Sequence, residues 1–288
     1  MRFFTLFFMV ISSLFGLDIT LSDSKVSNGR TLYIEFAKEK NIDFKEIILG
    51  KKSYQVFKHP KDGKKFYTLL PLSYYQKPNY EEVKLVFFDD GIEKNHYIIV
   101  DIKDGDYKKE KIVVQKSKVN PKKKSVKERT SKEYKNAMEI YSKVTPKSYI
   151  DSKFILPIES KITSDFGKAR IYNNSLNGYH SGTDFRAKVG TPIFASNDGV
   201  VVLAKNRFYA GNSIIIDHGH GIYTCYYHLS KFNVKKGDKV KKSQIIGLSG
   251  DTGRITGPHL HFSVRVGGVQ VDPLQFIKLI NKNLYREM

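Results

Sequence analysis

Two short segments in the last third of the chain carry residues that could bind a metal ion. His180 and Asp184 lie four positions apart in the first segment, and His259 and His261 lie two apart in the second. Imidazole nitrogens and carboxylate oxygens are ordinary zinc ligands, and three protein ligands leave a fourth position for water. Because a divalent metal lowers the pKa of such a water, this set of residues predicts a hydrolase.

The local chain must position these residues. Residues i and i+4 of a strand are about 13 Å apart, too far to share one ion. The chain between His180 and Asp184 must therefore bend, and Gly182 permits a bend because glycine tolerates φ angles that other residues avoid. From His259 to Val266 polar and apolar residues alternate, which predicts a strand with His259 and His261 on one face.

A further histidine, His228, ends a tyrosine-rich run. Alternation along residues 222–228 predicts that Thr224, Tyr226 and His228 share one face and that Cys225 lies on the other. With His228 towards the metal, Cys225 faces away into a core, which disfavours it as a nucleophile or ligand.

The turn around residues 217–221 contains a second H-x-H pair, His218 and His220. Its glycines predict a flexible hairpin tip between two strands. We therefore expect structural histidines at this turn, and H-x-H spacing alone does not identify a site.

The segment from about residue 163 to 273 resembles the LytM/lysostaphin-type zinc metallopeptidases of family M23, which cut peptidoglycan. The matching motifs occur in order along the chain: Ser164–Gly167 with Arg170, His180–Asp184, Gly190–Ala195, Asp198–Val201, Asp217–Leu229, Gly237–Val240, Gln244–Gly247 and Thr252–Phe262. One departure is Ile255, where the family commonly has serine; it removes no ligand.

This resemblance implies one Zn²⁺ per site, held by His180, Asp184 and His261, with His228 and His259 as the catalytic histidines. No glutamate of the H-E-x-x-H type is present, and a histidine with a pKa near neutrality can transfer the proton instead. We expect His259 to act as the base, and His228 to stabilise the oxyanion or protonate the leaving amine. The division of roles between these two stays open.

The expected fold is mostly β. Short alternating runs separated by turn residues predict an N-terminal β-sandwich, immunoglobulin-like, over residues 17–115. A basic linker with a helix follows at residues 116–150, and the resemblance implies an antiparallel β-sheet LytM-like metallopeptidase domain at residues 151–288.

Two helices are predicted. Thr130–Glu133 reads as a capping box, followed by Tyr134, Ala137, Met138 and Tyr141 at helical spacing. A second helix should begin at Asp272 and Pro273, with Leu274, Ile277 and Ile280 on its buried side.

Residues 1–16 have the pattern of a secretory signal peptide, one positive charge before an apolar run, and an uncleaved membrane anchor is the alternative. We therefore expect an exported protein, in the periplasm of a Gram-negative cell. The single cysteine excludes an internal disulfide. The formal net charge of +20 fits contact with an anionic wall or membrane surface, whereas export and the lack of a nucleic-acid motif disfavour nucleic acid.

The expected activity is hydrolysis of peptide bonds in peptidoglycan stem peptides or cross-links by a D,D-endopeptidase, with D,D-carboxypeptidase activity as a variant and control of cell shape as a family-level consequence. Two alternatives remain: a wall-binding regulator without activity, and a latent enzyme. Latency would require the β-domain, or an asparagine among Asn173, Asn174 and Asn177, to cover the metal.

Overall fold

The computed structural model describes residues 17–37, 40–112, 121–172 and 175–285, without the side chains of residues 112, 172 and 175–177. The predicted signal segment, residues 1–16, lies outside this range, as do Asn173, Asn174 and the side chain of Asn177. No helix in the described ranges is long and apolar enough to cross a membrane.

The N-terminal third forms two β-sheets around one apolar core. The four-stranded sheet has the order β1-β3-β7-β6 and the five-stranded sheet the order β2-β9-β8-β4-β5. The strands are β1 Ile19–Leu21, β2 Lys25–Ser27, β3 Thr31–Ala37, β4 Ile42–Leu49, β5 Lys52–Gln55, β6 Phe57–Lys58, β7 Lys65–Pro71, β8 Asn79–Asp89 and β9 Ile92–Lys103. Alternate residues of β3 and β8 face this core because side chains of a strand point to opposite sides in turn.

A large antiparallel sheet of ten strands dominates the C-terminal half. Its main path is β11-β14-β21-β18-β17-β16-β19; β20 joins β18 to β15, and β22 pairs with β21. The strands are β11 Ile162–Ser164, β14 Thr183–Arg186, β15 Pro192–Phe194, β16 Gly199–Arg207, β17 Gly211–Asp217, β18 Ile222–Phe232, β19 Lys239–Val240, β20 Ile245–Ser249, β21 His259–Val266 and β22 Val269–Val271. The mostly β fold with this antiparallel sheet confirms the predicted fold class.

A small three-stranded sheet links the two halves. It contains β10 Lys109–Ile112, β12 Ala169–Tyr172 and β13 Ser175–Tyr179 in the order β10-β12-β13. The first pair is parallel and the second antiparallel. A strand that follows the N-terminal sheets thus extends into the region next to the predicted metal ligands.

Two helices pack on the large sheet, α1 at Lys124–Tyr141 and α2 at Pro273–Asn283. The predicted start of α2 is confirmed: the Asp272 carboxylate accepts hydrogen bonds from the backbone N–H groups of Leu274 and Gln275, and Pro273 begins the helix. The side-chain amide of Gln275 also bonds both the N–H and the carbonyl of Thr31, which fixes α2 against β3.

The capping-box prediction for α1 is wrong. The helix begins at Lys124, so Thr130 lies inside it and donates its hydroxyl to the Lys127 carbonyl. Glu133 instead reaches the sheet, where it accepts a hydrogen bond from the backbone N–H of Phe208 at 2.8 Å. Tyr134 is exposed, and the contact with the sheet comes from Ala137 and Tyr141. Tertiary contacts made from Glu133 to Tyr141 therefore hold one face of this helix against the sheet.

Candidate metal centre and catalytic histidines

The three predicted ligands converge on one point. His180 Nε2 lies 2.9 Å from Asp184 Oδ1 and 3.0 Å from His261 Nδ1, and the last two atoms are 2.8 Å apart. Strand pairing produces this meeting, because Asp184 on β14 and His261 on β21 are direct cross-strand partners. Among the described residues these three form the group of His, Cys, Asp and Glu side chains that could hold a metal ion.

Gly182 is required for a different reason from the predicted one. Its φ is not in the positive region that favours glycine. A Cβ atom at this position would lie 2.4 Å from the carbonyl oxygen of Phe262 and 2.6 Å from His261 Nε2. Glycine therefore allows the backbone between His180 and Asp184 to approach the ring of a ligand.

Contacts beyond the ligand atoms fix how the two ligand rings face the metal position. His180 donates its Nδ1–H to the carbonyl of Asp165 at 2.7 Å, which leaves the Nε2 lone pair for a metal. His261 points Nδ1 towards Asp184, and its Nε2 lies 3.4 Å from Ser263 Oγ. The Tyr227 ring stacks on His261 at 5.4 Å with an interplanar angle of 2°. The two nitrogen donors are thus held in the orientation that coordination needs.

Asp184 is held as a carboxylate. Burial alone would raise its pKa, but interaction with the imidazoles of His180 and His261 holds the pKa of Asp184 well below its usual range. Its second oxygen, Oδ2, accepts a hydrogen bond from Arg170 Nη2 at 3.1 Å. Two imidazole nitrogens and one carboxylate oxygen, within reach of one ion with bonds of about 2.0–2.2 Å, fit zinc.

The two predicted catalytic histidines lie side by side next to this cluster. The ring centroids of His228 and His259 are 4.9 Å apart. Each Nδ1–H donates to a backbone carbonyl at 2.8 Å, His228 to Thr252 and His259 to Gly257. The Nε2 atom of each ring is therefore the one that carries the lone pair, and His259 Nε2 lies 3.6 Å from Asp184 Oδ1. Burial, followed by the charges of His261 and His259, lowers the pKa of His228 to about 3.

The predicted alternation of β18 fails at His228. Tyr226 pairs with Phe262 on the core face, and Tyr227 pairs with His261 on the face of the metal cluster. His228 follows Tyr227 on that face because its backbone is left-handed, with φ +63°, next to register shifts in the pairing of β18. Its N–H leaves the regular ladder and donates to the Ala210 carbonyl at 2.9 Å.

Cys225 is buried, as expected, but it does not face away from the metal cluster. It pairs with Ser263, two positions from His261, and lies on the same sheet face. Helix α1 covers it there, with the Tyr141 hydroxyl 3.3 Å from Sγ, and burial raises the pKa of the thiol. A covered thiol with a raised pKa does not act as a nucleophile.

The turn histidines lie apart from the cluster, and the turn is not a flexible tip. His218 is fully buried, and both of its ring nitrogens are hydrogen-bonded at 2.7 Å, to the Asp198 carbonyl and to Thr224 Oγ1. His220 stacks on Phe57 with ring centroids 3.9 Å apart. Packing of this turn against both halves of the chain is what the sequence pattern did not reveal.

Sequence reasoning gave no role to two residues that contact the ligands, Tyr227 and Arg170. Tyr227 could have been found from strand register, since it is the cross-strand partner of His261. Arg170 stood in a recognised motif, but its contact with Asp184 depends on the irregular pairing of β12 and β13, with a register shift after Arg170.

Comparison with known proteins finds similar peptidases. The sequence pattern described as peptidase family M23 matches residues 178–273. The peptidoglycan DD-endopeptidase ShyA of Vibrio cholerae is 48% identical over 122 residues, which are 41% of this chain and 28% of that protein. The DD-carboxypeptidase/endopeptidase Mpg of Neisseria meningitidis is 43% identical over 95 residues, 33% of this chain and 22% of that protein.

A solved structure described as a peptidase M23 from Pseudomonas aeruginosa superimposes with a TM-score of 0.67 at 23% identity, over 87% of this chain and 94% of that one. This likeness covers both halves of the molecule and shows the fold. The site is that of a metallopeptidase, and residues 178–273, which contain all three ligand residues, match peptidase family M23. The matches span only about a quarter of the length of the curated relatives.

Proposed function

We propose that the chain is a zinc-dependent peptidase that hydrolyses peptide bonds in peptidoglycan stem peptides or cross-links. One observation carries the proposal: three ligand atoms lie 2.8–3.0 Å apart beside two histidines whose Nε2 atoms carry lone pairs. The names of ShyA and Mpg support peptidoglycan as the substrate and a D,D-endopeptidase, with D,D-carboxypeptidase activity as a variant. Intact ligands disfavour a non-catalytic regulator.

His180, Asp184 and His261 would hold the zinc ion. When bound, zinc supplies Lewis acidity, which lowers the pKa of water and polarises the carbonyl of a peptide bond. His259 Nε2 accepts the proton that water loses as its oxygen attacks the carbonyl carbon. The proton taken up by His259 would pass to Nε2 of the neighbouring His228 ring, which with that proton hydrogen-bonds the developing oxyanion or delivers it to the nitrogen of the broken C–N bond.

Fixed tautomers favour these roles. Both Nδ1–H groups are engaged by backbone carbonyls, so each ring presents one atom, Nε2, for proton transfer. Burial keeps His228 neutral at physiological pH, and a proton on a ring with a pKa of about 3 is readily passed on. The assignment of base and acid between His259 and His228 belongs to the proposal.

We further infer export to the periplasm and contact with anionic wall or membrane surfaces. Peptidoglycan lies outside the inner membrane, residues 1–16 have a signal-peptide pattern, and the net charge of +20 favours acidic partners over neutral ones. Cell-shape control through relaxed cross-links would follow from the same activity.

Digestion of purified peptidoglycan tests the proposal. The unaltered chain should convert cross-linked muropeptide dimers to monomers, identified by mass, or remove the terminal D-alanine of pentapeptides. A chelator should stop the reaction and added zinc should restore it. Products that form equally fast with excess chelator, or no products from any muropeptide with zinc present, would overturn it.

A further inference from the structure

A carboxylate from outside the family-matched region lies against the metal cluster. Glu110 is carried by β10, which pairs in parallel with β12 so that Glu110 and Arg170 are cross-strand partners. Neither residue falls within the matched range, residues 178–273. The strand follows the N-terminal sheets, so this carboxylate reaches the site from the N-terminal part of the chain.

Glu110 contacts side chains that in turn contact two of the three ligands. Its Oε2 lies 3.4 Å from Arg170 Nε, and Arg170 Nη2 lies 3.1 Å from Asp184 Oδ2. It also accepts a hydrogen bond from Ser164 Oγ, at 3.2 Å to Oε2 and 3.3 Å to Oε1, and Ser164 Oγ lies 3.3 Å from His180 Nδ1. Lys168 is a weaker partner at 3.9 Å.

The charged groups of Glu110, Arg170 and Asp184 lie in a row next to the metal position. Arg170 and a metal dication would share one carboxylate, because Arg170 contacts Oδ2 of Asp184 while Oδ1 is the oxygen of the metal cluster. Arg170 and Glu110 are mostly buried, 18% and 28% exposed by side chain, so water screens their interaction only in part. A second carboxylate shares the guanidinium charge, orients Arg170, and lowers the repulsion that a bound cation would meet.

We propose that Glu110 is a positioning residue for the metal centre: it acts through Arg170 on Asp184 and raises the affinity for zinc. This inference rests on the proposed zinc function. Replacement of residues that contact and orient metal ligands typically lowers metal affinity by about 10–100-fold.

Zinc affinity of the full chain, measured by competition with a chromophoric chelator, tests the proposal. Glu110→Gln keeps the shape of the side chain and removes its charge, and should weaken zinc binding about tenfold. Glu110→Asp keeps the charge and should recover most of the affinity. Lys111→Gln is the matched control, because it is the exposed neighbour on the same strand and should leave affinity unchanged.

A double-mutant cycle separates a path through Arg170 from a general effect on folding. In an Arg170→Met background, Glu110→Gln should change zinc affinity less than about threefold. Equal losses in both backgrounds, or an unchanged affinity for Glu110→Gln in the otherwise unaltered chain, would overturn the role of Glu110. Failure of the unaltered chain to bind zinc would overturn the proposed function itself.

Discussion

The molecule contains two H-x-H pairs with the same spacing but different surroundings. At the turn, His218 and His220 have all four ring nitrogens within hydrogen-bond distance of other protein groups: the Asp198 carbonyl, Thr224 Oγ1, Tyr67 Oη and the Pro146 carbonyl. In β21, His259 bonds a carbonyl through Nδ1 only, and His261 points Nδ1 at Asp184. The difference shows that function depends on which nitrogens remain available for a metal or substrate.

Backbone conformation produces this difference. In the extended β21, residues two apart face the same side, and that side meets Asp184 on the neighbouring strand. In the turn, the left-handed backbone of His220, φ +52°, breaks this alternation. His218 then packs edge-on against Phe154 in the core, and His220 stacks on Phe57 of β6. The pair in β21 therefore lies at the metal site, whereas the pair in the turn packs against aromatic side chains of the fold.

The largest expected effect comes from the histidines with an available Nε2. His259→Ala and His228→Ala should each lower peptidoglycan turnover by about 10²–10⁴-fold, because proton transfer by a positioned side chain contributes that much. Neither residue is a proposed ligand, so zinc content should stay near that of the unaltered chain. Turnover and bound zinc are measured on the same samples, with His96→Ala in β9 as control. Full turnover by zinc-loaded His259→Ala would remove this residue from the mechanism.

A smaller effect, on stability and its pH dependence, is expected at the turn. Burial lowers the pKa of His218 to about 4, whereas an unfolded histidine titrates near ~6.5. Between these values an unfolded His218 binds more protons, so its contribution to the free energy of unfolding is fully present above pH ~6.5 and falls by about 3 kcal/mol as pH drops to ~4. Urea unfolding should show this fall in the unaltered chain and a shallower one in His218→Gln. Parallel pH profiles would contradict the assignment.

The smallest expected effect is a loss of stability when the contact between Tyr67 and His220 is removed. Tyr67→Phe removes the hydroxyl that lies 2.7 Å from His220 Nδ1 and keeps the ring in its place. Loss of one buried hydrogen bond with an unpaired partner should cost about 1–3 kcal/mol. Tyr97→Phe, at an exposed tyrosine of β9, is the matched control and should change stability by less than about 0.5 kcal/mol. An equal change in stability for both variants would mean that the contact between Tyr67 and His220 does not stabilise the protein.

Residue types and short-range patterns could predict the ligand set and the start of α2, because these depend on local chemistry. His259 and His261 share a face through strand periodicity, and Asp272 with Pro273 marks a helix start in any context. The position of His228 could not be predicted, since one left-handed residue reverses the face that alternation assigns. The contact of Glu110 with Arg170 depends on a parallel pairing between segments about sixty residues apart, which no local pattern reports.

The most direct test of the account compares zinc content after dialysis in the unaltered chain, Asp184→Ala and His218→Ala. We predict one zinc ion per chain in the unaltered protein and in any His218→Ala that remains folded, and none in Asp184→Ala. Zinc that persists in Asp184→Ala but disappears from folded His218→Ala would contradict the account. Metal binding would then depend on His218, whose ring nitrogens are both hydrogen-bonded to other protein groups.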